Sequence, residues 1–343
     1  MVDLKTIAEI IKTKERFVVS AHMHADGDAA ASQLGIARVL HQIGKEAIVV
    51  NDEETPLQFK FLPGVETILQ EVPADYKPDT VIIIDTPIRR IINCGDIRKR
   101  FLDGKPAEES GEIGGTPWTD IETIFLDHHE RSEHCGEHIY VDSKASASAT
   151  IVGRLMHELD VEPDADIGTA IICGIMSDTG RFSFANTTSE SLKLVAEVVD
   201  AGANVNNVAT ELFYRNEFAS VWMTGQALST LKLSESGKVC TMILKEEAVN
   251  DQGQPVEPED LPTYPVTIRG VEIGLFLRPA SDGGVRVSLR SAGNADVNRF
   301  ASLFDGGGHK KAAGCRMPPG HIEDARDTLV AAAEKYLAEN PDG

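Results

Sequence analysis

Between Arg16 and Asp127 the chain carries four short β-branched runs: RFVVSAH (Arg16–His22), EAIVVN (Glu46–Asn51), DTVIIID (Asp79–Asp85) and IETIFLD (Ile121–Asp127). Each is too short for an ordinary helix and apolar on both faces. A strand of that kind must be covered on both sides, which is the situation of a parallel sheet flanked by helices. The segment Asp28–Ile43, stopped by Gly44, reads as one such helix. This alternation predicts an α/β, doubly wound, mainly parallel domain. Helical periodicity then dominates from Ser146 to about Leu231, and Ser189–Ala201 ends at Gly202, a C′ glycine. Strand patterns return in KVCTMIL, VEIGLFLR and GVRVSLRS, and a helix over Glu323–Leu337 closes the chain. The expectation is a first domain over 1–190, a helical linker over 191–220 and a smaller α/β domain over 221–343. Asp103–Asp120, rich in Gly, Pro and charge, reads as a surface loop.

Composition narrows the function classes. With 42% apolar and 25% charged residues, a disordered or fibrous chain is excluded. The longest uncharged stretch, Ile167–Ser177, is too short to span a bilayer, and the charged N-terminus has no apolar core of a signal peptide, so no membrane partner is expected. A formal charge of −21 argues against a protein that grips long duplex nucleic acid by counterion release. It leaves room for a small phosphorylated substrate at a local site. The five scattered cysteines form no C-x-x-C pair, which fits buried thiols in a reducing compartment, the cytoplasm.

The chemistry gathers where the strands end. The first run leads into His22-Met-His24-Ala-Asp26-Gly-Asp28, the third ends at Asp85, and the fourth at Asp127-His128-His129. A further cluster ends at Asp178 after an apolar helical run. Ligands of open α/β sheets bind outside the carboxyl ends of the strands. One Asp at a strand end is usually a helix N-cap, and Asp28 is placed to begin the next helix. His41, His134, His138, His157 and His321 read as ordinary surface or core residues. Many like charges at one edge, however, need compensation, and a metal centre supplies it. A mixed Asp/His set without thiolates suits Mn2+, with Mg2+ or Co2+ as substitutes, rather than structural zinc.

His22-x-x-x-Asp26-x-Asp28, Asp85, Asp127-His128-His129 and Asp178 resemble the four motifs of the DHH phosphoesterase superfamily. Gly306-Gly307-Gly308-His309-Lys310-Lys311-Ala-Ala-Gly314 resembles the glycine-rich motif of its DHH-associated nucleotide-binding domain. The resemblance implies two divalent metal ions and a site in the cleft between two domains. His22, Asp26 and Asp85 would hold one ion. Asp28, Asp85, His128 and Asp178 would hold the other, with Asp85 bridging. Asp127 would accept a hydrogen bond from an imidazole, and His129 would face the substrate phosphate, on the premise that neighbouring side chains diverge. His24 is read as a non-ligand.

Between Val266 and Arg316 eight Lys/Arg stand against four Asp/Glu, next to glycines whose backbone can approach a phosphate closely. By resemblance Arg290, Gly306, Gly307, Gly308, His309 and Lys310 would bind substrate; an arginine fork suits phosphate. The implied activity is metal-dependent hydrolysis of short 5′-phosphorylated oligonucleotides, or of the bisphosphonucleotide pAp. An inorganic pyrophosphatase or exopolyphosphatase, and a non-catalytic nucleotide-binding module, are the alternatives. Oligomeric state stays open, a homodimer included.

Overall fold

The computed structural model describes residues 1–102, 111–130, 132–245 and 261–340. The chain divides into two compact units, Met1–Arg215 and Asn216–Gly343.

The first unit opens with α1 (Leu4–Thr13) and β1 (Arg16–Ser20), followed by α2 (Gly27–Gln42), β2 (Glu46–Val49), β3 (Thr80–Ile84) and α3 (Gly95–Leu102). A two-residue hairpin, β4 (Glu112–Ile113) and β5 (Thr116–Pro117), precedes β6 (Glu122–Asp127) and β7 (His138–Val141). Four helices complete it: α4 (Ser148–Glu158), α5 (Ala165–Asp178), α6 (Ser189–Asp200) and α7 (Val205–Phe213). The five-stranded sheet runs β2-β1-β3-β6-β7, and every pairing is parallel. Both faces are covered, as the unalternating runs require. Phe17, Val19, Ile82, Ile84, Ile124 and Leu126 point into a core closed by α1, α2, α4 and α5. Val18, Val81, Ile83 and Phe125 point into a second core with Ile97 and Trp118. Of the loop expected over Asp103–Asp120, residues 103–110 lie outside the described residues. The rest buries Ile113 and Trp118.

Close packing of α2 on α5 sets where the functional residues stand. A Cβ at Gly27 would sit 2.5 Å from Ser177 Oγ, and one at Gly35 would press Ala170 at 3.3 Å. At Gly174 it would collide with Asp28 Oδ1 and Ala149 Cβ. Helix α6 contributes Leu194 and Val198 to the first unit's core, and α7 contributes Val208. Gly202 follows α6 with φ 104°, the left-handed region open to glycine.

The second unit begins with α8 (Phe218–Leu228) and continues through β8 (Lys232–Leu233), β9 (Val239–Ile243), β10 (Ile273–Pro279) and β11 (Val285–Ser291). Then come α9 (Val297–Ser302), β12 (Gly307–Gly308), β13 (Ala312–Met317) and α10 (Ile322–Glu339). Its six-stranded sheet has the order β12-β13-β11-β10-β9-β8 and is mostly antiparallel, with β9 and β10 parallel. One face packs under α9 and α10. Among the described residues no helix is long and apolar enough to cross a membrane.

Candidate metal centre

His22, Asp26, Asp28, Asp85, His128 and Asp178 come together at the carboxyl edge of the parallel sheet. Three overlapping groups of donors form among the described residues, the third being Asp85, His128 and His129, and Asp85 faces histidines on two sides. On one side His22 Nε2 lies 3.8 Å from Asp26 Oδ1 and 3.7 Å from Asp85 Oδ2. On the other, His128 Nε2 lies 3.5 Å from Asp85 Oδ1, 3.8 Å from Asp28 Oδ2 and 3.1 Å from Asp178 Oδ2. The donor atoms of His22, Asp26 and Asp85 lie within 4.8 Å of one another, as do those of Asp28, His128 and Asp178. Asp85 follows β3 directly and holds φ 52°, a left-handed conformation that Asp tolerates and that collects at functional sites.

The local bonds explain the pose of each donor. His22 Nδ1 lies 2.7 Å from the Met23 carbonyl and His128 Nδ1 lies 3.4 Å from the Ala145 carbonyl. A carbonyl only accepts, so in the neutral ring Nδ1 carries the hydrogen and Nε2 presents its lone pair to the cluster. Asp26, not Asp28, is the N-cap of α2: its Oδ1 accepts from the backbone of Asp28 and Ala29 at 3.0 Å each. That corrects the reading of Asp28 as a helix start. Asp28 instead lies one residue inside α2 and serves a different helix. It accepts from Ser148 N at 2.5 Å and Ala149 N at 2.9 Å, at the start of α4, whose own cap residue, Ala147, makes no side-chain bond. The positive end of α4 thus stabilises a buried carboxylate. Ser32 Oγ donates to Asp28 at 2.9 Å and Ser148 Oγ to Asp85 at 3.0 Å. Neither serine was anticipated; the missing cap of α4 was the one available signal.

His128 and His129 do not diverge. The strand ends at Asp127, and the two rings lie 4.7 Å apart. His129 Nδ1 donates to Asp127 Oδ1 at 2.7 Å, which leaves its Nε2 for another partner. Burial raises the Asp127 pKa, but the hydrogen bond and charge of His129 outweigh it and hold it below the ordinary value. The loop after His129 is clamped by Arg89, which donates to the carbonyls of Glu133 at 3.3 Å and His134 at 2.6 Å. His24 stays outside the cluster, exposed and 3.4 Å from Glu53. His41, His138 and His157 have partners elsewhere.

The donor set fits divalent cations. Asp28 and Asp85 are fully buried. Burial, then the charge of Asp178, lifts the Asp28 pKa to about 7. Burial, then the charges of Asp28 and Asp26, lifts that of Asp85 well above 3.8. Burial alone would depress His128, but the hydrogen bond that its ring donates to Asp178 and the charge of Asp28 raise it to about 9. Ionising all of these carboxylates together therefore needs compensating positive charge, which divalent ions held by the cluster would supply.

A sign follows for pH. Asp28 binds its proton more tightly folded than unfolded, so its contribution is full below about 3.8 and lost as pH rises through about 7. The contribution of His128 is full below about 6.5 and lost as pH rises through about 9. Both act in one sense. The melting temperature of the chelated protein should fall between about pH 5 and pH 8, and Mn2+ should reverse that slope, because bound ligands are deprotonated. Calorimetry with and without chelator checks it; a melting temperature that climbs over this range in chelator would refute it.

In the second unit Arg290 lies on β11 opposite Ala312. Gly307 and Gly308 pair with Gly314 and Ala313. The turn from His309 to Ala312 is closed in both directions, by His309 N to Ala312 O at 2.7 Å and Ala312 N to His309 O at 3.2 Å. A Cβ at Gly306 would strike Gly314 O, and one at Gly308 would sit 2.6 Å from Ala312 O, so the hairpin requires glycine at both. Gly307, Gly308, His309 and Lys310 are exposed.

A parallel sheet that delivers His and Asp from several strand ends to one acidic cluster, on a chain that also carries an exposed Gly-Gly-His-Lys hairpin, defines a class of metal-dependent phosphoesterase. The sequence profile described as DHH family, N-terminal domain, matches residues 16–175, and that of the DHHA1 domain matches residues 256–339. The chain belongs to the DHH family of phosphoesterases. It is 30% identical over 335 residues to the Thermus thermophilus protein named bifunctional oligoribonuclease and PAP phosphatase NrnA, covering 97% of this chain and 94% of that one. The Bacillus subtilis protein of the same name is 26% identical, over 97% of this chain and 99% of its own. The crystal structure of an exopolyphosphatase-related protein from Bacteroides fragilis superposes with a TM-score of 0.78 at 22% identity, covering 97% and 96% of the two chains, a likeness of fold.

Proposed function

We propose that this enzyme hydrolyses short 5′-phosphorylated oligonucleotides to mononucleotides, and pAp to AMP, with two divalent ions, Mn2+ by preference. The observation that carries the reading is the pair of His/Asp groups joined by Asp85. His22, Asp26 and Asp85 would hold one ion, and Asp28, Asp85, His128 and Asp178 the other. When bound, two such ions supply Lewis acidity and a nucleophilic water at neutral pH. His22 and His128 keep their lone pairs aimed at the cluster through their carbonyl-bound Nδ1 atoms. Asp127 fixes the His129 ring, which leaves Nε2 to face a substrate phosphate oxygen. Ser148 and the start of α4 hold Asp28 and Asp85 in place between substrates. Arg290, His309, Lys310 and the glycine hairpin grip the nucleotide's phosphate. The relatives' printed activities support this choice of substrates. The five cysteines, all unpaired, fit a cytoplasmic enzyme.

The test is a substrate panel of pAp, pApA, a pentanucleotide RNA, a long RNA and pyrophosphate. Chelator should abolish hydrolysis, and Mn2+ should restore it better than Ca2+, whose larger and looser shell suits this cluster poorly. Full activity in excess chelator would end the metal reading. Preference for pyrophosphate over every nucleotide would end the substrate reading.

A further inference from the structure

His22 and Asp26 face one another across a turn. An extended chain would set residues four apart at a separation of about 13 Å, yet His22 Nε2 and Asp26 Oδ1 stand 3.8 Å apart. The chain therefore reverses between them. It does so at His24, whose φ of 54° lies in the left-handed region. Histidine enters that region at a cost that the surroundings must offset. Packing of the side chain does not offset it, because 88% of the His24 side chain is exposed.

A carboxylate does. The backbone N–H of His24 donates to Glu53 Oε2 at 2.5 Å, and Glu53 Oε1 lies 3.4 Å from His24 Nδ1. A backbone N–H bonds a carboxylate more strongly than a neutral acceptor. Glu53, which follows β2, is itself anchored by Asn93, a buried residue. Asn93 Oδ1 accepts from Glu53 N at 3.1 Å, and its carbonyl accepts from Asp52 N at 2.7 Å. Its own N–H donates to the Ala21 carbonyl at 2.8 Å, one residue before His22. Ala21, Asn93, Glu53 and His24 thus close a frame around the turn. Within it, Met23 N donates to the Ile91 carbonyl at 2.6 Å. The group of Asp28, His128 and Asp178 is supported differently: Asp28 is held by the start of α4, His128 follows β6, and Asp178 ends α5.

We infer that Glu53 is a positioning residue for one of the two ions. It belongs to none of the donor groups. It acts through His24, by holding the left-handed turn that brings His22 and Asp26 to one point. The inference rests on the two-ion reading proposed above and makes the two sites unequal. Loss of Glu53 weakens the site built on His22 and spares the one built on His128.

The experiment titrates metal-free protein with Mn2+ in a calorimeter. It compares wild type, Glu53→Ala, Glu53→Gln, His24→Gly and the double variant Glu53→Ala/His24→Gly. Wild type should bind two ions. Glu53→Ala should bind one of them 10–100-fold more weakly, the range typical when a residue that orients a ligand is lost, and the other within about 2-fold. The Mn2+ concentration for half-maximal hydrolysis of pAp should rise with the weaker site. Glu53→Gln keeps an amide oxygen that can accept from the same N–H, so it should recover most of the affinity. Glycine adopts a φ of 54° freely, so His24→Gly alone should bind both ions as wild type does. Added to Glu53→Ala, it should restore much of the lost affinity, a rescue that no other role of Glu53 would give. Melting in chelator checks that each variant is folded. If Glu53→Ala alone is not, the double variant carries the test and must bind both ions. Two tightly held ions in Glu53→Ala would overturn the inference, as would equal weakening of both or no gain from glycine. Wild type that binds no Mn2+ would instead end the metal reading itself, so the two failures are told apart.

Discussion

Asp85→Asn should reduce phosphoester hydrolysis on the order of 10³-fold or more at saturating Mn2+, well beyond the 10–100-fold typical when a residue that merely orients a ligand is lost. The two oxygens of Asp85 face different histidines: Oδ2 faces His22 at 3.7 Å and Oδ1 faces His128 at 3.5 Å. An amide removes charge from both groups at once and replaces one acceptor with a donor. Asp127→Asn should stay within 10–100-fold, because Asp127 acts through His129. The metal-free protein should respond in the opposite direction. There Asp85 is a buried carboxyl beside Asp28, Asp26 and Asp178. Its neutral replacement should stabilise the chelated protein by roughly 1–2 kcal/mol, seen as a melting temperature higher by about 2–6 °C. Metal titration and calorimetry on both forms separate the effects. Turnover damaged more by Asp127→Asn than by Asp85→Asn would show that Asp85 is not shared between two ions.

The sequence displayed the elements whose cause is local. DTVIIID and IETIFLD have no polar alternation, and both became central strands of a parallel sheet buried on either side. The position of Asp85 and His128 at the edge follows from where those runs stop. What stayed hidden depends on partners far away along the chain. Asp28 looks like the start of a local helix, yet it accepts from Ser148 N, 120 residues on. No local pattern marks that pairing, because the cap that α4 lacks is supplied across the fold. The edge strand β7 was missed for a related reason: His138–Val141 is short and half-buried throughout, so it lacks the apolar run that identified its neighbours. The rings of His128 and His129 came close because the strand ends one residue earlier, and the alternation of side chains across a strand ends with it.

Arg290→Ala should cut kcat/KM for pAp and for oligonucleotides roughly 10–150-fold, the range that follows from losing one charge-assisted bond to phosphate worth about 1.5–3 kcal/mol. The reasoning starts from the backbone. Arg290 stands on β11 with Ala312 opposite, beside a hairpin whose turn is closed by paired bonds between His309 and Ala312. The side chain's own Nη1 donates to the Leu289 carbonyl at 3.1 Å, which restrains the guanidinium. A restrained planar fork loses less entropy on binding phosphate than a flexible ammonium does, so Arg290→Lys should recover only part of the activity. All six proposed ligands lie in the other unit, so metal content and the melting response to Mn2+ should not change. A generic aryl phosphodiester, which reaches the metal cluster but offers no nucleotide phosphate to Arg290, should be hydrolysed nearly as fast as by wild type. If nucleotide and aryl substrates lose equally while metal content holds, Arg290 does not grip the nucleotide, and the hydrolysis of inorganic polyphosphates becomes the better reading of this chain.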